Sequence, residues 1–113
     1  MPGECTGEQL SALLDGTAPF ALIDVREPME YNAAHIPGAS LIPRRRLEFE
    51  VSRALPYKGV QVVLCDENGR NAERAADTLV RGGYSNVSVL KGGVNRWAAD
   101  GRPTEWGVNV PSK

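Results

Sequence analysis

The chain is short of the residues that build metal sites and disulfide frameworks. Of its 113 residues, one is histidine and two are cysteine. That leaves too few ligands for a Cys/His zinc site, and no metal is expected. The two cysteines, Cys5 and Cys65, do not make a disulfide framework. A reducing compartment, the cytoplasm, is the expectation. No apolar run approaches the length that crosses a bilayer. The opening Met1-Pro2-Gly3-Glu4 lacks the basic-then-apolar pattern of a signal peptide. Charge of either sign is not in excess: 13 Lys and Arg stand against 14 Asp and Glu, for a net charge of −1. Neither nucleic acid nor an acidic membrane is therefore an expected partner. There are no internal repeats and no low-complexity segment.

What is present fits one ordinary globular domain. Apolar residues make up 42% and charged residues 24%, and the length supports a core without staples. Thr6-Gly7-Glu8-Gln9 matches a capping box, and Leu10, Leu13 and Leu14 follow at helical spacing up to Asp15-Gly16. A continuous apolar run at Phe20–Ile23, an almost wholly apolar one at Val60–Leu64, and strand-like runs at Val87–Leu90 and, shorter, at Ser40–Ile42 suit parallel strands covered on both faces. Helices are expected from Pro28, over Arg44–Leu55, around Ala72–Val80 and over Val94–Asp100. The helix at Ala72, Ala75, Ala76, Leu79 and Val80 is the clearest, and Gly82-Gly83 ends it. Strands alternating with helices argue for a doubly wound parallel α/β sheet of four or five short strands. Arg44-Arg45-Arg46 reads as a solvated helix start, although three cations there oppose the helix dipole and could draw an anion. Trp97 and Trp106 read as core or tail anchors.

The stretch that bears chemistry is Val62-Val63-Leu64-Cys65-Asp66-Glu67-Asn68-Gly69-Arg70-Asn71-Ala72. It reads as a buried strand, a cysteine, a short polar loop and a helix start. In open α/β sheets the ligand crevice lies beyond the carboxyl ends of the strands. Loop N–H groups and a helix start there favour an anion or a thiolate. Cys65 is thus a candidate nucleophile in a ring of inward-aimed amides. Asp66 and Glu67 oppose this, because carboxylates beside a thiolate raise its pKa and repel an anionic donor.

Four features occur in order: Leu22-Ile23-Asp24-Val25-Arg26-Glu27, His35-Ile36-Pro37-Gly38-Ala39, the Cys65 loop, and Leu90-Lys91-Gly92-Gly93-Val94 followed by Trp97. Together they resemble a rhodanese domain over roughly residues 4 to 106. The resemblance implies a five-stranded parallel sheet flanked by helices on both faces, occupying residues 1–106. It also implies sulfurtransferase chemistry at Cys65. Sulfur would pass from a small donor anion such as thiosulfate, or from a persulfide, to cyanide or a thiol through a Cys65 persulfide, with no cofactor. From Cys65 to Arg70 the loop counts six residues. Rhodanese-type sulfurtransferases carry a loop of this size, whereas the related arsenate reductases and dual-specificity phosphatases carry one residue more.

By the same resemblance Asp66, Glu67, Asn68, Gly69, Arg70 and Asn71 line the substrate cradle, with Arg70 holding the donor or bracing the loop. Asp24, Arg26 and His35 support the site structurally, and Cys5 takes no part. The acidic pair departs from the family, whose loop often has a basic residue after the cysteine and glycine midway. A second reading is therefore a catalytically weak rhodanese-like module that docks or regulates partners. Residues 107–113 resemble a tail or the linker after a rhodanese unit, so neighbouring rhodanese domains in a longer chain are expected partners.

Overall fold

A computed structural model describes residues 2–107. Five parallel strands form one sheet: β1 (Gly3–Cys5), β2 (Ala21–Asp24), β3 (Ser40–Leu41), β4 (Val62–Cys65) and β5 (Val87–Leu90), in the order β1-β5-β4-β2-β3. The helices are α1 (Gly7–Asp15), α2 (Pro28–Ala33), α3 (Arg44–Ala54), α4 (Arg70–Arg81) and α5 (Gly93–Ala99). The expected α/β class and five-stranded sheet are those observed. The tail expected at residues 107–113 lies, from residue 108 on, outside the described residues.

The central strand β4 is apolar throughout and its neighbours β2 and β5 nearly so, because both faces are covered. Side chains alternate across β4: Val62 and Leu64 point into one core with α3 and α4, Val63 and Cys65 into the other with α1, α2 and α5. The first core is closed by Leu47, Val51, Ala72, Ala75, Ala76 and Leu79, and the alanines let α4 lie close on the sheet. The second is closed by Leu10, Tyr31, Val94 and Trp97. At α1 both bonds of the capping box form, Gln9 N to Thr6 Oγ1 at 3.1 Å and Thr6 N to Gln9 Oε1 at 2.9 Å.

Two sequence expectations change. The edge strand β1 was not legible: three residues, two of them exposed, show no periodicity, and only pairing with β5 makes them a strand. Trp106 is 84% exposed and lies outside the core, unlike the buried Trp97, whose indole N–H donates to Pro103 O at 2.6 Å.

The strand ends are stitched into a crest. Val25 N donates to Cys65 O at 2.9 Å, Ile42 N to Asp24 O at 3.0 Å, and Arg44 N to Val25 O at 3.0 Å. In register, Cys65 sits beside Asp24, and Leu64 beside Val89. Leu90, the next residue along β5, pairs with Cys5 on the far side. Cys5, Leu90, Cys65 and Asp24 therefore form one row across the carboxyl edge of the sheet.

Leu64, fully buried in the central strand, is expected to be costly to truncate: Leu64→Ala should lower unfolding free energy by about 2–5 kcal/mol. Phe49→Ala, at a residue 80% exposed, should stay within about 0.5 kcal/mol. Denaturant unfolding of both variants checks the pair.

Candidate active site

The loop between β4 and α4 is held from two sides. At the start of α5, Val94 N donates to Asp66 O at 2.8 Å and Asn95 N to Glu67 O at 3.0 Å. This close approach requires glycine. Gly93 has φ +66°, and a Cβ there would lie 2.5 Å from Asn68 N, Asp66 O and Glu67 C. The Lys91-Gly92-Gly93-Val94 turn is thus the clamp of the loop, a role that sequence reading gave only to chain reversal. The signal was present, since paired glycines opening a helix mark close backbone approach as well as a turn.

The second hold is Asp66 itself. The residue is 1% exposed, and its carboxylate accepts from Gly69 N, from Asn71 N at 2.8 Å and from Ala72 N at 3.2 Å. Gly69, the N-cap of α4, has φ +100° and offers no side chain to cap the helix. Asp66 supplies the cap from three residues upstream, where the helix start favours negative charge. The Asn68 side chain likewise accepts from Arg70 N at 3.0 Å. The amides of Asp66, Glu67 and Asn68 donate to no acceptor among the described residues.

The expected ring of amides aimed at the sulfur is therefore corrected. The back half of the loop turns its N–H groups to Asp66, and the Cys65 sulfur has no hydrogen-bond partner among the described residues. The reason is local. A tethered carboxylate competes for the same donors at high effective concentration. From sequence the direction of the acidic side chains was open; Asp66 turns inward, whereas Glu67 is only half-buried.

Cys65 is the last residue of β4, and its side chain is fully buried against the second core. Burial pushes its thiol well above the usual range; Asp24 adds to the rise, Arg26 opposes it and Asp66 contributes further. Asp24, also fully buried, binds Arg26 through Nε to Oδ1 at 3.0 Å and Nη2 to Oδ2 at 2.8 Å. Arg26 Nη2 also donates to Ala34 O at 2.6 Å. Burial works against the guanidinium charge, but the bonds and attraction to Asp24 outweigh it, and Arg26 is held above its ordinary pKa. The only buried cation beside the thiol, among the described residues, is thus already committed to a carboxylate and a carbonyl.

His35 is 2% exposed, stacks on Tyr31 with ring centroids 3.9 Å apart, and is bonded at both nitrogens: Nδ1 to Tyr31 O at 2.8 Å and Nε2 to Glu105 Oε1 at 3.2 Å. It ties the turn after α2 to the C-terminal segment, where His35 and Glu105 also exchange backbone bonds. Arg70 is exposed at the first position of α4. Arg44, Arg45 and Arg46 are exposed at the crest, with Arg45 paired to Glu27 and Arg46 to Glu50. Cys5 is buried, its thiol raised by desolvation, and its sulfur faces Thr6 O at 3.6 Å. A cleft of roughly 500 Å³ borders the loop, lined among others by Glu4, Asn68, Gly69, Glu73, Asp77 and Lys91 but not by Cys65. Among the described residues, no three His, Cys, Asp or Glu side chains gather to hold a metal, and no helix is long and apolar enough to cross a membrane.

The model of the rhodanese-like domain family matches residues 6–100. The chain belongs to that family. The rhodanese-like chain is 36% identical over 99 residues to the probable adenylyltransferase/sulfurtransferase MoeZ of Mycobacterium tuberculosis, a match covering 87% of this chain but only 25% of MoeZ. It is 33% identical over 103 residues to a sulfurtransferase of Allochromatium vinosum, covering 91% of this chain and 94% of that one. In three dimensions it resembles thiosulfate sulfurtransferase from Pseudomonas aeruginosa, with a TM-score of 0.89, 32% identity, and coverage of 96% of this chain and 21% of the other. The rhodanese-like chain thus spans a quarter of MoeZ and nearly all of the Allochromatium protein.

Gly93→Ala is expected to unseat the loop. A left-handed backbone and a clash with three backbone atoms should lower stability by about 2 kcal/mol or more. Thermal unfolding, together with amide exchange across residues 66–72, reads both effects.

Proposed function

We propose that this rhodanese-like domain is a sulfurtransferase whose Cys65 carries sulfur as a persulfide between a donor and a thiol or cyanide acceptor. The observation that supports it most directly is the position of Cys65: the only cysteine at the carboxyl end of the central strand, at the root of a six-residue loop in a family whose relatives bear sulfurtransferase names. Cys65 attacks the outer sulfur of thiosulfate or of a persulfide, and the remainder of the donor leaves with the bonding electrons. A covalent intermediate divides the transfer into two easier steps. The amides of Asp66, Glu67 and Asn68, which have no acceptor among the described residues, are the donors this reading assigns to the terminal sulfur. Arg70, exposed at the loop, meets the anionic end of the donor. Asp24 and Arg26 fix the crest beside Cys65, and His35 braces the neighbouring turn.

A second reading, a weakly catalytic rhodanese-like module within a longer protein, draws on a specific observation. The thiol is fully buried and its pKa is raised, so the resting domain holds little thiolate. Neighbouring rhodanese domains and the cytoplasm remain the setting proposed for either reading.

Mass spectrometry after incubation with a sulfane-sulfur donor separates the two. The enzyme reading expects one added sulfur, about 32 Da by atomic mass, reversed by cyanide and absent in Cys65→Ala. A protein that gains no mass with any donor is the weak module.

A raised thiol pKa has a defined signature. The reactive thiolate fraction grows as pH rises toward the folded-state value, so labelling of Cys65 by iodoacetamide should still be climbing where labelling of an unfolded-chain thiol has levelled off. The unfolded chain ionises first, so the thiol makes the fold progressively less stable above the unfolded pKa. A labelling rate that is flat above neutrality would contradict the raised pKa.

A further inference from the structure

α3 has an inner and an outer face. Leu47 and Val51 turn into the first core. The outer face is exposed, and Phe49 stands on it with 80% of its surface open to solvent. Residues three and four positions away are neighbours on a helix. For Phe49 these are Arg45, Arg46, Ser52 and Arg53, all exposed. An aromatic ring is thus framed by three arginines and a hydroxyl, with no carboxylate at the framing positions. Arg45 is paired with Glu27 and Arg46 with Glu50. A guanidinium has five donors, so both pairs leave N–H groups open. Arg53 makes no ion pair among the described residues. The Arg45–Glu27 pair also ties the start of α2, where Met29 is exposed, to the start of α3.

Folding does not account for this face. Arginines in the first turn oppose the helix dipole. The N-cap, Pro43, supplies no side-chain bond, and the first turn holds no acid. Four arginines stand against two glutamates on α3, in a chain whose net charge is −1. Aromatic and arginine side chains are the groups enriched at the energetic centres of protein interfaces. The ring supplies area to bury, and the guanidiniums bind carboxylates through paired bonds. Glu27, Glu48 and Glu50 lie among the arginines and repel a continuous polyphosphate or a flat anionic membrane. Separate carboxylates around an apolar group fit the spaces between them.

We propose that the outer face of α3, with Phe49 as anchor and Arg45, Arg46 and Arg53 as its frame, docks an acidic segment of a partner protein in which Asp or Glu flank apolar side chains. Docking on this face does not require sulfur at Cys65.

The test selects binders to the immobilised full chain from a library of random displayed peptides. The enriched peptides are then titrated by fluorescence anisotropy against the unmodified protein, Phe49→Ala, Arg53→Glu, Lys91→Glu and Trp106→Ala. Enriched sequences should combine Asp or Glu with leucine or an aromatic residue. Phe49→Ala removes an exposed side chain, so the fold stays intact, and affinity should fall about tenfold. Arg53→Glu should cost a similar factor, larger at low salt than at high salt. Lys91→Glu makes the same charge change on another loop, and Trp106→Ala removes an exposed aromatic outside α3. Both should change affinity less than about twofold. A selection without an acidic and apolar consensus overturns the proposal. So do selected peptides that bind Phe49→Ala as tightly as the unmodified protein. An RNA oligonucleotide or a phosphatidylserine vesicle that binds more tightly than the peptides, with no loss in Phe49→Ala, would mark a general cationic patch and overturn it as well.

Discussion

The site depends on the approach of α5 to the backbone of the loop after β4. Two N–H groups at the start of α5 bind the carbonyls of Asp66 and Glu67, and the absence of a side chain at Gly93 allows the contact. With these carbonyls turned toward α5, the Asp66 carboxylate reaches the amides at the start of α4. The loop is therefore shaped by three partners that are distant in sequence: a strand end, a helix start and a glycine turn more than twenty residues later. Trp97, buried under the same helix and bonded to Pro103, keeps α5 seated.

Electrostatically the resting site is the reverse of an open anion hole. The loop amides that would welcome a negative ligand already hold one that is covalently attached. This stabilises α4, whose own N-cap contributes nothing. It also places a carboxylate next to a thiol already disfavoured by burial. The same residue thus serves the fold and restrains the chemistry, a conflict expected where local structure and function share donors.

Most of the fold was legible because the signals were strong and local. Four apolar runs, a capping box at Thr6 and the alanine face of α4 each carried their own physical reason, and each element is present. β1 was not legible, because a three-residue edge strand exists only through its neighbour. The boundary at β4 moved by one residue, which puts Cys65 inside the strand and under cover instead of past its end. At the site, the residue types were readable but their directions were not. Asp66 buried while Glu67 is only half-buried is a matter of backbone geometry across the loop, and it depends on Gly93, a long-range contact that no local pattern reports.

The row across the carboxyl edge of the sheet bears on how the two thiols can be oxidised. Cys5 and Cys65 share that row and that core, but Leu90 stands between them. Two interstrand spacings separate their backbones by about 10 Å, beyond the roughly 7 Å that a disulfide can bridge. The chain has no other cysteine. Oxidation therefore cannot join Cys5 to Cys65, and each thiol stays in its own place in the second core.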